Sequence, residues 1–498
     1  MSLQLVWFKR DLRVEDHQPL VEASRRGPVL GFYIYEPIIY ESPEFHPRDL
    51  IFLNQCLEEL ARDLKALGGQ FITARGDALT VLSKLHDDYG IHGLWSHEET
   101  GNGATYDRDK AVLTWCRGEG IPWREYPQHG VFRPLRSRDG WAAQWKRRMS
   151  VPLLKTPRLT TTETYPRTLG FLKPPDLGLK KPNTEGILPG GASKAHYMLE
   201  SFLLRRGENY RTDMSGPLSS RKGCSRLSPY IAYGAISHRY IWQRTMHQIE
   251  KVRSEGPPTG SKAQWLKSLA SFESRLAWHC HFMQKLEDEP DIETTNFSSA
   301  YDGLRRDEED KALLGAWLRG ETGYPMIDAS MKALEKTGWI TFRMRAMVVS
   351  FASYHLWQPW QKSGLILARL FLDFEPGIHW SQMQMQSGTT GINAIRIYNP
   401  IKQGQDHDKD GLFVREALPA LRRVPAEYLH APWEMPEKVQ KAFGCRIGVD
   451  YPAPIVDHKE AYRSAQEQIW AIKESPEARR EARKVRKKHG SRRGKRAH

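Results

Sequence analysis

The chain has 498 residues, 40% of them hydrophobic and 27% charged, with a formal net charge of +15. This composition is typical of a soluble globular protein with two or three domains. No apolar run approaches the ~20 residues that span a bilayer, and the charge at Lys9 argues against a secretion signal. We therefore expect a cytoplasmic protein without a membrane segment.

The cysteines lie far apart and form no CxxC pair: Cys56, Cys116, Cys224, Cys280 and Cys445. This usage fits a reducing compartment and argues against a disulfide framework, a structural zinc or a cysteine-held iron–sulfur cluster. His279 and His281 flank Cys280, but residues two apart on a helix point to different faces, so they do not converge on one ion. We expect no metal.

The first 130 residues alternate between two patterns. Short apolar runs at 3–8, 29–35, 70–74 and 92–97 predict strands, and the segment at 48–69 has helical spacing that ends at two glycines. Such alternation predicts an α/β, Rossmann-like domain with a parallel sheet over residues 1–130. No GxGxxG motif follows the first strand, which argues against a nicotinamide-dependent dehydrogenase.

Residues 131–193 are rich in Pro, Gly and Thr and predict a long connector. The pattern then becomes helical, and an all-helical domain is predicted over residues 194–475. Its helical segments are predicted at 194–207, 229–250, 262–286, 310–318, 325–337, 341–357 and 362–373.

The last segment, residues 476–498, is strongly basic. From Arg479 to His498 it holds eleven Lys or Arg and one acidic residue, which gives a net charge of +10. A block of like charge predicts disorder, either as a solvated tail or as a segment attracted to nucleic acid.

The stretch "GCSRLSPYIAYGAIS", residues 223–237, reads as a turn that feeds a helix, with Ser225 or Ser228 as the cap. Small hydroxyls and an arginine at such a turn could hold a phosphate. Taken alone, however, the stretch favours an ordinary capped helix.

The blocks "TGYPMIDASM", "GWITFRMRAM" and "RIYNPIKQGQ" follow in this order, after an opening "VWFKRDLRVEDHQPL". The chain resembles the photolyase/cryptochrome family over residues 4–465, as a divergent prokaryotic-type member. The resemblance implies an α/β antenna-type domain, a linker and a helical FAD-binding domain. It also implies damaged DNA as the partner, a monomer, and association with the nucleoid when the protein is bound to DNA.

The resemblance also implies the roles of individual residues. The residues that match FAD-contacting positions of the family are Tyr210, Ser225, Arg226, Leu227, Ser228, Arg345, Asp373 and Glu375, and His279 is expected to contact FAD. Trp278, Arg275 and Arg343 match positions at the DNA or lesion surface. Cys224 stands where a threonine is usual in the family.

This sequence departs from the family at the lesion pocket and along the electron path. Arg275 stands where dimer-repairing relatives usually carry a glutamate, and His279 stands where an arginine is common. Trp360 matches the middle tryptophan of the usual reducing chain, but Ser381 and Asp307 fall at its inner and outer positions. Trp380, beside Ser381, offers a substitute, so Trp360 and Trp380 are the predicted electron-transfer residues.

Two further regions leave alternatives open. "HWSQMQMQSGTTG", residues 379–391, is predicted to be a loop near the flavin that enters a helix, since its period-2 pattern is too short for a strand here. The N-terminal domain could hold a folate, a deazaflavin, a second flavin or no antenna chromophore.

The resemblance implies a light-driven deoxyribodipyrimidine photolyase that splits UV-induced pyrimidine dimers, of the cyclobutane type, by electron transfer from excited, reduced FAD. Two alternatives remain. One is a cryptochrome-type photoreceptor, and the other is a (6-4) photolyase, which needs a proton donor such as His279 or His281.

Overall fold

The computed structural model describes residues 3–161, 169–257, 259–305 and 310–490. Its strands form one parallel sheet in the order β3-β2-β1-β4-β5. They are β1 Leu3–Trp7, β2 Val29–Tyr35, β3 Gln70–Arg75, β4 Ile91–His97 and β5 Trp123–Tyr126. β1 and β2 are buried along their whole length, as expected for a parallel sheet with helices on both faces.

Helices make up most of the remaining described chain. The α-helices are α1 Gln18–Ser24, α2 Pro37–Tyr40, α3 Pro47–Ala66, α4 Ala78–Tyr89, α5 Gly103–Gly118, α6 Trp141–Met149, α7 Ala192–Ser201, α8 Tyr210–Asp213, α9 Ser219–Gly223, α10 Ser228–Ala232, α11 His238–Ser254, α12 Gly260–Asp288, α13 Lys311–Arg319, α14 Pro325–Thr337, α15 Phe342–Ser350, α16 Trp360–Leu370, α17 Pro376–Ser387, α18 Pro400–His407, α19 Leu412–Ala417, α20 Glu437–Phe443, α21 His458–Lys473 and α22 Pro476–His489. One π-helical turn follows α7 (Phe202–Arg206) and another follows α15 (Phe351–His355). Short 3-10 turns lie at Pro174–Leu177, Pro290–Glu293, Ser299–Tyr301, Pro419–Leu421 and Pro432–Glu434.

The predicted fold class, an α/β sheet domain joined to a helical region, is confirmed. The four apolar runs became strands β1 to β4, each within a residue or two of its expected bounds. β5 was not predicted because it is only four residues long and two of them are charged. It lies at the edge of the sheet and pairs only with β4.

The connector contains a helix that its composition did not predict. α6 turns Trp141, Trp145 and Met149 toward the core at a spacing of four residues. These side chains join a hydrophobic cluster that also contains Val6 of β1 and Leu276 of α12. The sheet domain and the helical region therefore share a continuous buried core. Residues 162–168 of the connector lie outside the described residues.

The Gln-Met stretch is helical from its first residue, so the predicted loop is wrong. α17 begins at Pro376, where proline costs no helical hydrogen bond, and ends before Gly388 at φ 83°. A Cβ atom on Gly388 would lie 2.6 Å from the Tyr354 hydroxyl, so only glycine fits this helix end.

The prediction that the basic segment is disordered is wrong for residues 476–489. Residues 476–489 form α22, with Ala478, Val485 and His489 buried against the helical region. Residues 491–498 lie outside the described residues. None of the described helices combines the length and the apolar character that a bilayer-crossing segment requires.

Candidate functional site

A cavity of about 320 Å³ lies in the helical region, between α12 on one side and α15 and α17 on the other. It brings together residues that are up to 176 positions apart, from Tyr210 to Gln386. The predicted site residues that line it are Tyr210, Ser225, Arg226, Leu227, Ser228, Arg275, Trp278, His279, Arg345, Asp373 and Glu375.

The turn before α10 places a positive charge in this cavity. Arg206 holds the turn from behind, because its guanidinium donates to the carbonyl oxygens of Lys222 at 2.6 Å and Cys224 at 2.7 Å. Arg226 adopts a φ of 59°, a conformation that a non-glycine residue rarely takes, and its guanidinium stacks 4.0 Å from the Trp339 ring. Burial lowers the pKa of Arg226 to about 10, and its Nε has no partner among the described residues.

A second feature of the cavity is a buried ion pair. The Arg345 guanidinium donates to Asp373 Oδ2 at 2.8 Å and to the Ile340 carbonyl at 3.0 Å, and it stacks on Phe371. The Asp373 side chain is 3% exposed, whereas that of Arg345 is 26% exposed. Asp373 Oδ1 has no partner among the described residues and is buried at the cavity wall.

A third feature is a row of three interacting side chains: Glu375, directly before α17, and His279 and Cys280 on α12. His279 Nε2 lies 2.9 Å and 3.0 Å from the two carboxylate oxygens of Glu375. Burial lowers the pKa of His279, but Glu375 and Cys280 outweigh it and raise this pKa to about 10. Burial raises the pKa of the Cys280 thiol, but His238 and His279 outweigh burial and lower this pKa to about 5. His279 thus lies between the Glu375 carboxyl group, 2.9 Å from its Nε2, and the Cys280 sulfur, 3.7 Å from its Nδ1.

Two groups of possible metal ligands occur among the described residues. His238, His279 and Cys280 form one group, and Asp11, His17 and His97 form the other. In the second group both imidazoles are hydrogen-bonded to Asp11 Oδ2, at 2.9 Å and 2.7 Å. These contacts give the three side chains a role without an ion, and the absence of a metal stays a prediction.

His281 does not line the cavity with His279. Its ring lies 5.8 Å from that of Trp141 and 5.5 Å from that of Phe282. Burial, with Lys285 and Arg138 nearby, lowers the pKa of His281 to about 3, so this side chain is neutral.

The cavity mouth carries two exposed aromatic rings. Trp278 is 49% exposed and Phe342 is 43% exposed. The Arg275 guanidinium lies 5.4 Å from the Trp278 ring and 5.7 Å from the Phe342 ring, so it sits between them. Arg343 follows Phe342 on α15 but is not among the residues that line the cavity.

The two predicted electron-transfer tryptophans are neighbours behind the cavity wall. The Trp360 and Trp380 ring centroids lie 6.0 Å apart, and both side chains are buried. Trp380 contacts Phe374 at 6.2 Å and His379 at 4.7 Å, and both of these residues line the cavity. Asp307, expected at the outer position of the usual chain, lies outside the described residues.

α17 contributes residues that the sequence reasoning did not single out. Gln382, Met383 and Gln386 line the cavity, and Gln382 Oε1 is buried without a partner in the described chain. Gln382 and Gln386 are four apart, which places them on one helical face. The four-residue spacing is present in the sequence, but it indicates a shared face only if the stretch is taken to be a helix.

A smaller cavity of about 100 Å³ lies at the carboxyl ends of β1, β2 and β4. Ligands of open α/β sheets bind at such an edge, where the strand order reverses. Arg108 crosses its wall and donates to Glu36 at 2.8 Å and to Glu99 at 2.7 Å. Phe374 and Glu375 line both cavities, so one layer of side chains separates them.

Comparisons with known proteins cover nearly the whole chain. Residues 4–143 match the family model described as DNA photolyase, and residues 272–471 match the FAD binding domain of DNA photolyase. A deoxyribodipyrimidine photo-lyase of Alkalihalophilus pseudofirmus is 28% identical, over 93% of this chain and 97% of that protein. A cryptochrome DASH of Natronomonas pharaonis is also 28% identical, over 93% of this chain and all of its own.

Solved structures give the same result. The crystal structure of a bacterial class III photolyase from Agrobacterium tumefaciens superposes with a TM-score of 0.82 at 26% identity. It covers 95% of this chain and 98% of its own.

Proposed function

Because this chain belongs to the photolyase/cryptochrome family and binds FAD, we propose that it is a photolyase that repairs UV-induced pyrimidine dimers in DNA. The observation that carries the proposal is the 320 Å³ cavity, with a charged inner wall and an aromatic mouth. FAD supplies the light absorption and the electron for dimer splitting. The protein's own residues hold the cofactor, receive the lesion and exclude water.

The cavity residues fit FAD. Arg226 Nε, Asp373 Oδ1 and Gln382 Oε1 all line the cavity, and all are buried without a partner among the described residues. Unpaired buried polar atoms are costly, so their presence around one cavity calls for a ligand with both acceptors and donors. In this proposal Arg226, with Ser225 and Ser228, binds the phosphates.

The remaining inner residues orient the ring system of the cofactor. Arg345 is fixed by Asp373 and by the Ile340 carbonyl, so its charge keeps one position. His279 is fixed by Glu375 and carries a positive charge at neutral pH, since its pKa is about 10. Both cations would stabilise negative charge on a reduced cofactor.

The mouth suits a pyrimidine dimer that has flipped out of the duplex. A flipped nucleotide is usually received between aromatic side chains and read by polar groups at its edge. Trp278 and Phe342 provide the aromatic faces, and Arg275 between them provides donors only. In this proposal Arg275 therefore donates to the carbonyl oxygens of the lesion, whereas a glutamate carboxylate at this position would accept hydrogen bonds from the N–H groups of the lesion.

We propose the cyclobutane dimer as the lesion. The (6-4) lesion is the second candidate, because His279 is a protonated imidazole that lines the same cavity. A cryptochrome-type receptor is the third, since a cryptochrome DASH is as similar to this chain as the photolyase is. In all three cases we propose a monomer in the cytoplasm, which joins the nucleoid when it binds DNA.

The deciding experiment is a repair assay with separate lesions. The purified protein, with its FAD reduced, is illuminated with oligonucleotides that carry either one cyclobutane thymine dimer or one (6-4) product. Recovery of thymine absorbance from the cyclobutane substrate alone supports the proposal. Repair of the (6-4) substrate alone favours the second candidate, and no repair of either lesion by fully reduced protein contradicts both.

A further inference from the structure

α22 presents an exposed row of positive charge. Arg479, Arg480, Arg483 and Arg486, here called the basic face, are all exposed. At 3.6 residues per turn they fall within an arc of about 120°. No ion pair within the described part of the chain involves these four side chains. Like charges along one helix face repel each other, so packing on the other side of α22 is needed to stabilise it.

The opposite side of α22 supplies that packing. Val485 joins a hydrophobic cluster with Leu286, Ile292 and Phe297. The His489 ring is 1% exposed and lies 5.0 Å from the Phe297 ring, and it is hydrogen-bonded to Glu289. The helix is thus held in place at its far end and cannot swing freely as a tail would.

Packing contacts connect the cavity mouth with α22. A continuous row of contacts runs down α12 from Trp278 to Phe282 at 5.9 Å and from Phe282 to Lys285 at 5.0 Å. Lys285 lies 5.3 Å from Phe297, which packs against α22. Trp278 lines the cavity mouth, and Glu289, directly after α12, is hydrogen-bonded to His489 of α22. The two residues are eleven positions apart, which is about 16 Å at the helical rise.

We propose that the basic face binds the phosphate backbone of duplex DNA on one side of the lesion. A distance of about 16 Å equals about five base-pair steps of B-DNA. α22 is held about this far from the cavity mouth, so the basic face should contact phosphates beyond the first few base pairs from the nucleotide that enters the cavity. This inference rests on the proposed function for its position, although the contact itself requires only duplex DNA.

The test measures how DNA binding depends on salt. Full-length protein with bound FAD is titrated onto undamaged duplex, and onto duplex with one thymine dimer, from about 0.05 to about 0.3 M KCl. The variant is Arg479→Gln/Arg480→Gln/Arg483→Gln/Arg486→Gln. The matched control neutralises four exposed cations of the sheet domain, Arg62→Gln/Lys65→Gln/Arg117→Gln/Arg124→Gln.

The basic-face variant should lower the slope of log K against log[salt] by about 2 to 4, because each phosphate contact contributes about 0.9. Its affinity at 0.15 M salt should fall roughly tenfold or more on both duplexes, with an unchanged preference for damage, because backbone contacts carry no sequence information. The control should keep the wild-type slope. Replacing the same four arginines by lysine should also keep it, since phosphate binding needs charge rather than the guanidinium shape.

A second measurement tests the position. Duplexes that end about two or about eight base pairs from the dimer are compared on each side of the lesion. Shortening one side should weaken wild-type binding and leave the basic-face variant unaffected.

An unchanged slope in the basic-face variant overturns the proposal, and so does an equal loss in the control. If the fourfold variant has a lowered melting temperature, the slope is measured instead with two double variants, Arg479→Gln/Arg480→Gln and Arg483→Gln/Arg486→Gln. If wild-type protein shows no damage preference while the slopes behave as expected, the proposed function fails and the DNA contact stands.

Discussion

Replacing Arg345 by methionine should destabilise the protein far more than replacing Asp373 by asparagine. The Arg345→Met variant leaves the Asp373 carboxylate, 3% exposed, without its partner. An uncompensated buried charge of this kind costs about 3 to 5 kcal/mol. The Asp373→Asn variant leaves an arginine that is 26% exposed and keeps its bond to the Ile340 carbonyl, so we expect a cost of about 1 kcal/mol.

Denaturant unfolding of cofactor-free protein, followed by circular dichroism, measures both costs without a contribution from bound FAD. The double variant should be more stable than the sum of the single effects implies, by about 2 kcal/mol, because the orphaned carboxylate is gone. Arg244→Gln is the control, since its pair with Glu200 is about one-third exposed on both sides and should contribute at most about 1 kcal/mol. Equal costs for the two single variants, or additive effects in the double variant, would refute the reasoning.

Three more outcomes are expected. Trp380→Phe and Trp360→Phe should each slow the light-driven reduction of bound FAD by an external donor; wild-type rates in both would mean another route. Trp278→Ala should weaken binding to dimer-containing DNA by about 1 to 3 kcal/mol of lost stacking, whereas Phe443→Ala, an exposed aromatic on α20, should not. Burial raises the pKa of Asp328 to about 6, against hydrogen bonds that lower it. The folded state therefore keeps this proton while the unfolded state loses it, so stability should fall as pH rises from about 4 to 6. Asp328→Asn should flatten that part of the stability profile, and an unaltered slope would show that another group titrates there.

Local pattern predicted the sheet because its strands are apolar on both faces. It failed for α6 and α22, whose apolar stripes are narrow: Trp141, Trp145 and Met149 in one, and chiefly Ala478 and Val485 in the other. Both helices depend on packing against distant residues, and no window of sequence contains that information.

For the site, family resemblance identified eleven of the residues that line the cavity, but not those on α17 and not the contacts that fix them. Arg206 holds the turn at Cys224 from 18 positions away, and Trp339 covers Arg226 from more than a hundred. The pairing of His279 with Glu375 could not be read from either segment alone. Such contacts follow from the fold, so they became visible only in three dimensions.

One side-chain amide of α17 connects the wall of the cavity with the segment that packs against the outer helix α22. Gln384 donates to the carbonyl oxygens of Ile292 at 2.9 Å and Thr295 at 2.8 Å, and it accepts from the Phe297 amide at 2.7 Å. Its neighbour Met383 lines the cavity, and Phe297 supports His489 of α22. These contacts join α17, the segment 292–297 and α22 directly, so the position of the outer helix depends on where α17 lies beside the cavity.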